Sequence, residues 1–232
     1  MQSIDKTKSA GLARFTSLVY LYTGLGIAFW MISAQAIANN RNLAMTIMSG
    51  MASHRIISMI LIIGVMYGFI ALCSRLATRS YFLTFLSYIG FLITLSVIGV
   101  PIFYIYNAQS IIQSLTVTSA VFIVSAAYGF ITKKDLTTWG RTLFIGLISI
   151  IVVELINLLI FKSSALMMIT SAAIIILFLF YIAFDSQNIK RIYANNSGSS
   201  SLGAIALLAS VNLVLDFVNL FLSILQLFGD NN

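Results

Sequence analysis

Seven apolar stretches dominate this chain, at 15–38, 56–74, 82–100, 111–131, 142–161, 165–184 and 204–229. A hydrocarbon core about 30 Å thick takes about 20 residues of helix to cross, so each stretch is long enough to span a bilayer. Backbone in lipid must satisfy its own hydrogen bonds, which leaves helices or a closed barrel. The stretches lack the period-two alternation of barrel strands. The sequence therefore predicts an all-α membrane protein, a bundle of seven transmembrane helices. Composition agrees, with 60% of residues hydrophobic and only 8% charged. A soluble domain of this size carries far more charge on its surface.

The formal net charge of +7 raises nucleic acid as a partner. However, the basic residues stand singly or in pairs between apolar runs and make no phosphate-binding patch, so no nucleic acid is expected. They read instead as topology determinants. With the N-terminus inside, Lys6, Lys8, Arg14, Arg75, Arg79, Lys133, Lys134, Arg141, Lys190 and Arg191 fall on the cytoplasmic side. Only Arg41, Arg55 and Lys162 fall outside. This bias predicts N-terminus in and C-terminus out. Residues 1–14 then form a cytoplasmic segment, 15–229 the transmembrane domain and 230–232 a short external tail. No cleavable signal peptide is expected, since the first apolar stretch is too long for one, and the first span is read as retained.

The connections are short apart from residues 39–55 and "NIKRIYANNSGSSSLG" at 188–203, whose Ser/Gly/Asn run reads as a flexible cytoplasmic loop. Pro101 is expected to end the third span. Gly64 and Gly68 make a GxxxG in the second span and are read as a close helix-packing site, while Gly24 and Gly26 interrupt the first. No internal repeat is evident, which argues against inverted-repeat transporters. The single cysteine, Cys73, excludes an intramolecular disulfide or a multi-cysteine metal site and reads as a small apolar residue near a helix end. His54 reads as a solvated loop residue.

Acids inside a membrane are expensive and mark function by default. Glu154, Asp185 and Asp216 are the candidates. In the last span Asn212, Asp216, Asn219, Ser223 and Gln226 recur at spacings of four, three, four and three, one face of a helix. Such a stripe cannot face lipid. It lines a polar pathway in the bundle interior or forms a buried packing network. Asp185 closes the sixth span in "YIAFDSQNIKRIY" and reads as an interfacial acid, a partner of Lys190 or Arg191, or a partner of Asp216. Asp216 lies about 9 Å deep at a rise of 1.5 Å per residue, which a small axial offset between helices reconciles with Asp185. Two carboxylates in a partly dry site do not both ionise readily, so a pair would hold a proton and act as a pH sensor or a cation site. Arg75, at the inner end of the second span, is the candidate latch on that pair, with Arg79 second. Glu154, in "IIVVELINLLIF", extends the polar path outward or packs protonated against a polar neighbour.

These residues carry a resemblance. "FDSQNI" and "LVLDFVNLFLSILQLFG" resemble the paired signature segments of the Bax-inhibitor-motif family. "SAAYGFITKKDLTTWG" resembles that family's fourth span and the basic loop after it, and "GFLITLS" and the Asn157 segment match more loosely. The resemblance runs from about residue 15 to Gly229 and is closest to bacterial members, which implies a bacterial plasma (inner) membrane. It implies six helices around a central last helix. It also implies a calcium-permeable leak gated by a pH-sensitive aspartate pair, here Asp185 and Asp216, which would also be the calcium-binding groups. Arg75 matches the family's basic residue in the second span. That span carries no acid here, where some members have one.

The leading expectation is thus a pH-sensitive cation leak, with calcium as the transported ion, no cofactor, and the lipid bilayer as the surrounding partner. The alternative is a non-conducting regulator that binds other membrane proteins, such as membrane proteases. An enzyme is not expected. Aspartyl intramembrane proteases of the presenilin type carry Tyr-Asp and Gly-x-Gly-Asp, whereas the contexts here are "AFDSQ" and "LVLDFV". A serine protease would need a histidine better placed than His54. A proton-coupled transporter would show saturable, coupled flux in place of a leak.

Overall fold

The computed structural model describes residues 2–230 and builds them almost entirely as helix. In chain order these are α1 (Gln2–Asn39), α2 (Arg41–Ser53), α3 (Arg55–Leu76), α4 (Tyr81–Gly99), α5 (Ile102–Ile105), α6 (Ala108–Ile131), α7 (Gly140–Ile156), α8 (Ser164–Asn196) and α9 (Leu202–Phe228). Among the described residues, seven helical stretches are long and apolar enough to cross a membrane. They match the seven spans read from the sequence. Of the expected tail, only Asp230 is described. The last helix is the most enclosed: 72% of its apolar window is buried, against 6% for the second and fifth spans.

The described residues group into two compact units. The first comprises the chain up to Ile105 together with Ile192–Val214. Here α1 and α4 are joined by polar groups aimed at backbone. Trp30 Nε1 donates to the Leu95 carbonyl at 3.0 Å, and Tyr88 donates to the Tyr22 carbonyl at 2.8 Å. No water competes for such bonds in lipid, so they act as interhelical ties. Gly26 sits where a Cβ would run into the Tyr88 hydroxyl, while Gly24 faces open space.

Two expectations fail in this unit. Residues 39–55 are not an open loop, because they hold α2. Asn40 caps it by accepting from the Leu43 N–H at 3.2 Å, and Ala44 and Met48, one turn apart, pack with Ala38 and Val100. With Ile47 and Met51, these two recur at i, i+3, i+4 and i+7, the less exposed face of a short amphipathic helix. The Gly64/Gly68 pair is not a close-packing site either, since a side chain at either position would meet nothing within 4 Å. Both lie on the outward face of α3, where glycine spacing alone carries no information about neighbours. Pro101 does end the third span's main helix, at Gly99, before the single turn of α5. Cys73 is fully buried at the end of α3, and His54 is exposed between α2 and α3.

The second unit comprises Tyr106–Arg191 and the chain from Leu215 onward. Its closest approach is between α6 and α8. A Cβ on Gly129 would fall onto the backbone of Ala183, so only glycine fits there. The end of α9 is tied to the start of α6. Asn107 caps α6 through the Ser110 N–H at 2.8 Å, and the Asp230 N–H donates to Ser110 Oγ at 2.9 Å.

The sixth span also differs from its expected end near residue 184. Helix α8 continues through "DSQNIKRIYANN" to Asn196, so the helix ends about three turns later than expected and takes up the first half of the expected loop. The reason is packing. Phe178, Ile182, Ser186 and Ile189 make one continuous buried stripe past Asp185, and Lys, Arg and Gln suit a helix interior.

Candidate functional site

Helices α8 and α9 bring two acids together in the second unit. Asp216 lies mid-helix in an apolar run and is only 4% exposed. The next residue, Phe217, meets the Phe122 ring of α6 edge-on at 5.6 Å, which fixes the rotation of α9 at this level. Asp185, half-buried on α8, has its carboxyl within hydrogen-bonding reach of the Asp216 carboxyl. A hydrogen bond between two carboxyl groups needs a proton on one of them. Asp216 Oδ2 is buried with no hydrogen-bond donor among the described residues, and Ser186 Oγ, in the residue after Asp185, is likewise without a partner. A buried carboxyl oxygen without a donor is costly. The pair therefore suits an occupant that supplies positive charge or a hydrogen bond: a proton, a water or a cation.

Asp185 is not at a helix end, as the sequence suggested, but well inside α8. The basic residues after it are otherwise engaged. Lys190 Nζ donates to the Phe130 carbonyl at the end of α6 and stands 4.5 Å from the centre of the Phe130 ring. A cation there complements the unpaired carbonyls of a helix C-terminus. Arg191 is exposed and lies toward Asp135. Asp135, in the loop after α6, has its carboxyl held below the usual range by hydrogen bonds from Thr137, with Arg191 adding to the effect.

Sequence reasoning missed Gln187. Its Oε1 accepts from the Leu136 N–H at 2.8 Å and its Nε2 donates to the Lys134 carbonyl at 2.7 Å. The Lys-Lys-Asp loop is thus clamped to α8 two residues beyond Asp185. The signal was present: "FDSQNI" and "ITKKDL" were already singled out, but nothing in either segment says that they touch. Replacing Gln187 with leucine leaves the Leu136 N–H without its partner, at a cost of about 1–3 kcal/mol, while the Lys134 carbonyl, on an exposed residue, is left to water. Amide exchange at 133–137 should rise in Gln187→Leu, and unchanged protection there would show that the clamp does not hold the loop.

The remaining polar residues are mostly partnered. Gln226 Oε1 accepts from Ser171 Oγ at 2.6 Å, and the adjacent Thr170 donates to Glu154 Oε1 at 2.7 Å. Glu154 thus has a polar neighbour on α8. Asn219 and Ser223 donate to carbonyls of their own helix, those of Leu215 and Asn219, at 2.7 and 2.8 Å. Ser223 is buried, Asn219 and Gln226 half-buried, and Asn212 exposed. Arg75 belongs to the first unit, where it is exposed in the last turn of α3. Asn157 starts a π-helical turn (Asn157–Phe161) and closes it on Ser163, donating to its carbonyl at 3.1 Å and accepting its N–H at 2.9 Å. Lys162, at φ 49°, then turns the chain into α8.

Comparison with known proteins finds relatives along nearly the whole chain. The family described as "Inhibitor of apoptosis-promoting Bax1" matches residues 12–232. The chain is 30% identical over 229 residues to "Inner membrane protein YbhL" of Escherichia coli K12, covering 95% of this chain and 93% of that protein. It is 31% identical over 219 residues to an uncharacterized protein of Borreliella burgdorferi, covering 93% and 91% of the two chains. Over a shorter stretch of 127 residues it is 36% identical to uncharacterized protein RP147 of Rickettsia prowazekii.

Proposed function

The chain belongs to the Bax inhibitor family as an integral protein of the bacterial inner membrane, and from that premise we propose that it is a pH-sensitive cation leak, with calcium as the ion, gated by Asp185 and Asp216. The observation that carries this reading is the buried Asp216 Oδ2 without a donor, in a carboxyl that lies within hydrogen-bonding reach of a second one. A shared proton leaves the pair with a single negative charge and lets it stay closed in a poorly solvated setting. Loss of the shared proton leaves two like charges in a poorly solvated place, which favours separation of the acids or entry of a cation.

Calcium favours carboxylate and carbonyl oxygens but takes six to eight of them. Among the described residues no group of three or more acidic, histidine or cysteine side chains could hold a metal. Two carboxylates plus water suit an ion that passes rather than one that resides. On the outward side, Gln226 with Ser171, and Glu154 with Thr170, supply further oxygens for such a path.

Calcium flux into proteoliposomes containing only this protein, measured across pH, tests the reading. Flux that changes with pH supports it, whereas none at any pH would favour the regulator that acts on other membrane proteins. The latch role of Arg75 rests on its place at the inner end of the second span. Arg75→Ala is expected to raise basal leak several-fold while Arg79→Ala leaves it near wild type, and equal effects from both would remove the latch. With N-terminus in and C-terminus out, a reporter fused after Gly229 reads external, and a cytoplasmic reading would overturn that orientation.

A further inference from the structure

A groove of about 610 Å³ runs between α6 and α8, and neither aspartate lines it. Val121, Val124 and Tyr128 form one wall, and Leu179, Phe180 and Ala183 the other. The volume falls within the usual range of small-molecule sites, about 300–1,000 Å³. Val124 is 69% exposed and Tyr128 49%, on helices that cross the membrane, so the groove opens sideways onto the bilayer.

The chemistry changes at the loop end of this groove. Tyr128 sits one turn before α6 ends, and Trp139, beyond the loop, meets Phe180 edge-on at 5.2 Å. Between these two aromatics the loop carries Lys133 and Lys134, both exposed. The acid beside them, Asp135, is turned back on its own chain by the Thr137 N–H at 2.9 Å and faces Arg191. Tyr and Trp mark the depth of the headgroup region, and lysines just beyond it attract anionic lipid. The geometry points to a bound anionic phospholipid, with an acyl chain in the α6–α8 groove and its phosphate over Lys133 and Lys134. This inference does not depend on ion conduction.

Trp139 reports on the site. The other tryptophan, Trp30, is 1% exposed, and its background is measured with Trp139→Phe. The protein is reconstituted into vesicles in which a minor fraction of lipid is brominated on its acyl chains, either phosphatidylglycerol or phosphatidylcholine. Brominated phosphatidylglycerol should quench Trp139 at a several-fold lower mole fraction than brominated phosphatidylcholine. Each of Lys133→Gln and Lys134→Gln should reduce that preference, and the double variant should abolish it. Lys162→Gln, which removes a positive charge outside this loop, should leave it unchanged. Val124→Phe fills the groove without changing charge and should weaken quenching by the anionic lipid. Equal quenching by both lipids, or a preference that survives loss of both lysines, would overturn the headgroup site. Full quenching in Val124→Phe would overturn the acyl-chain site, because general enrichment of anionic lipid at a basic surface needs no groove.

Discussion

Replacing Gly129 with alanine is expected to be among the most damaging single substitutions in the transmembrane domain. The added Cβ would fall onto the carbonyl and Cα of Ala183, which are backbone atoms that no rotamer change can move aside. Overpacking a tight contact typically costs about 1–3 kcal/mol, and a backbone neighbour puts this case at the upper end. For a chain of this length that corresponds to a fall in Tm of roughly 5–10 °C, read from thermal unfolding of the solubilised protein. Gly64→Ala is the matched control. A Cβ there meets nothing within 4 Å, and alanine is the better helix former by about 1 kcal/mol. Its Tm should stay level or rise. Equal behaviour of the two variants would contradict the close approach of α6 to α8. Because Ala183 is two residues before Asp185, this approach also sets where Asp185 stands in the second unit.

Those two glycines show where sequence reasoning reaches its limit. Spacing picked out Gly64 and Gly68, but a spacing rule does not say which face of a helix meets a neighbour. Gly129 carried only the weaker Ser125-x-x-x-Gly129 spacing in "SAAYGF". The seven spans were legible because each is an apolar run of the length a bilayer dictates. Helix α2 was not read, although Ala44, Ile47, Met48 and Met51 recur at helical spacing on its less exposed face, because its 13 residues are too few to span a bilayer and so read as a connection. The continuation of α8 past Asp185 was visible in Ile182, Ser186 and Ile189 at helical spacing, but the basic residues alongside read more readily as a membrane boundary. The aspartates stood out because an acid in an apolar run has few explanations. That their carboxyls meet follows only from the packing of α8 against α9, as does the use of Gln187 to hold the Lys-Lys-Asp loop.

The second large effect concerns Asp216. Asparagine has nearly the same shape and keeps hydrogen bonding, but it cannot ionise, so Asp216→Asn should fold normally. It removes the shared proton and the second charge together. Asp185→Asn should act in the same way, and the double variant should add little to either, because the two carboxyls work as one unit. Additive effects from the two single variants would indicate separate roles.

Calcium flux through Asp216→Asn in proteoliposomes, followed across the pH range where the wild type responds, is the most direct measurement of the central claim. The paired-carboxyl account predicts folded protein whose flux varies by less than about twofold over that range. A folded Asp216→Asn that keeps the wild-type pH response would contradict it.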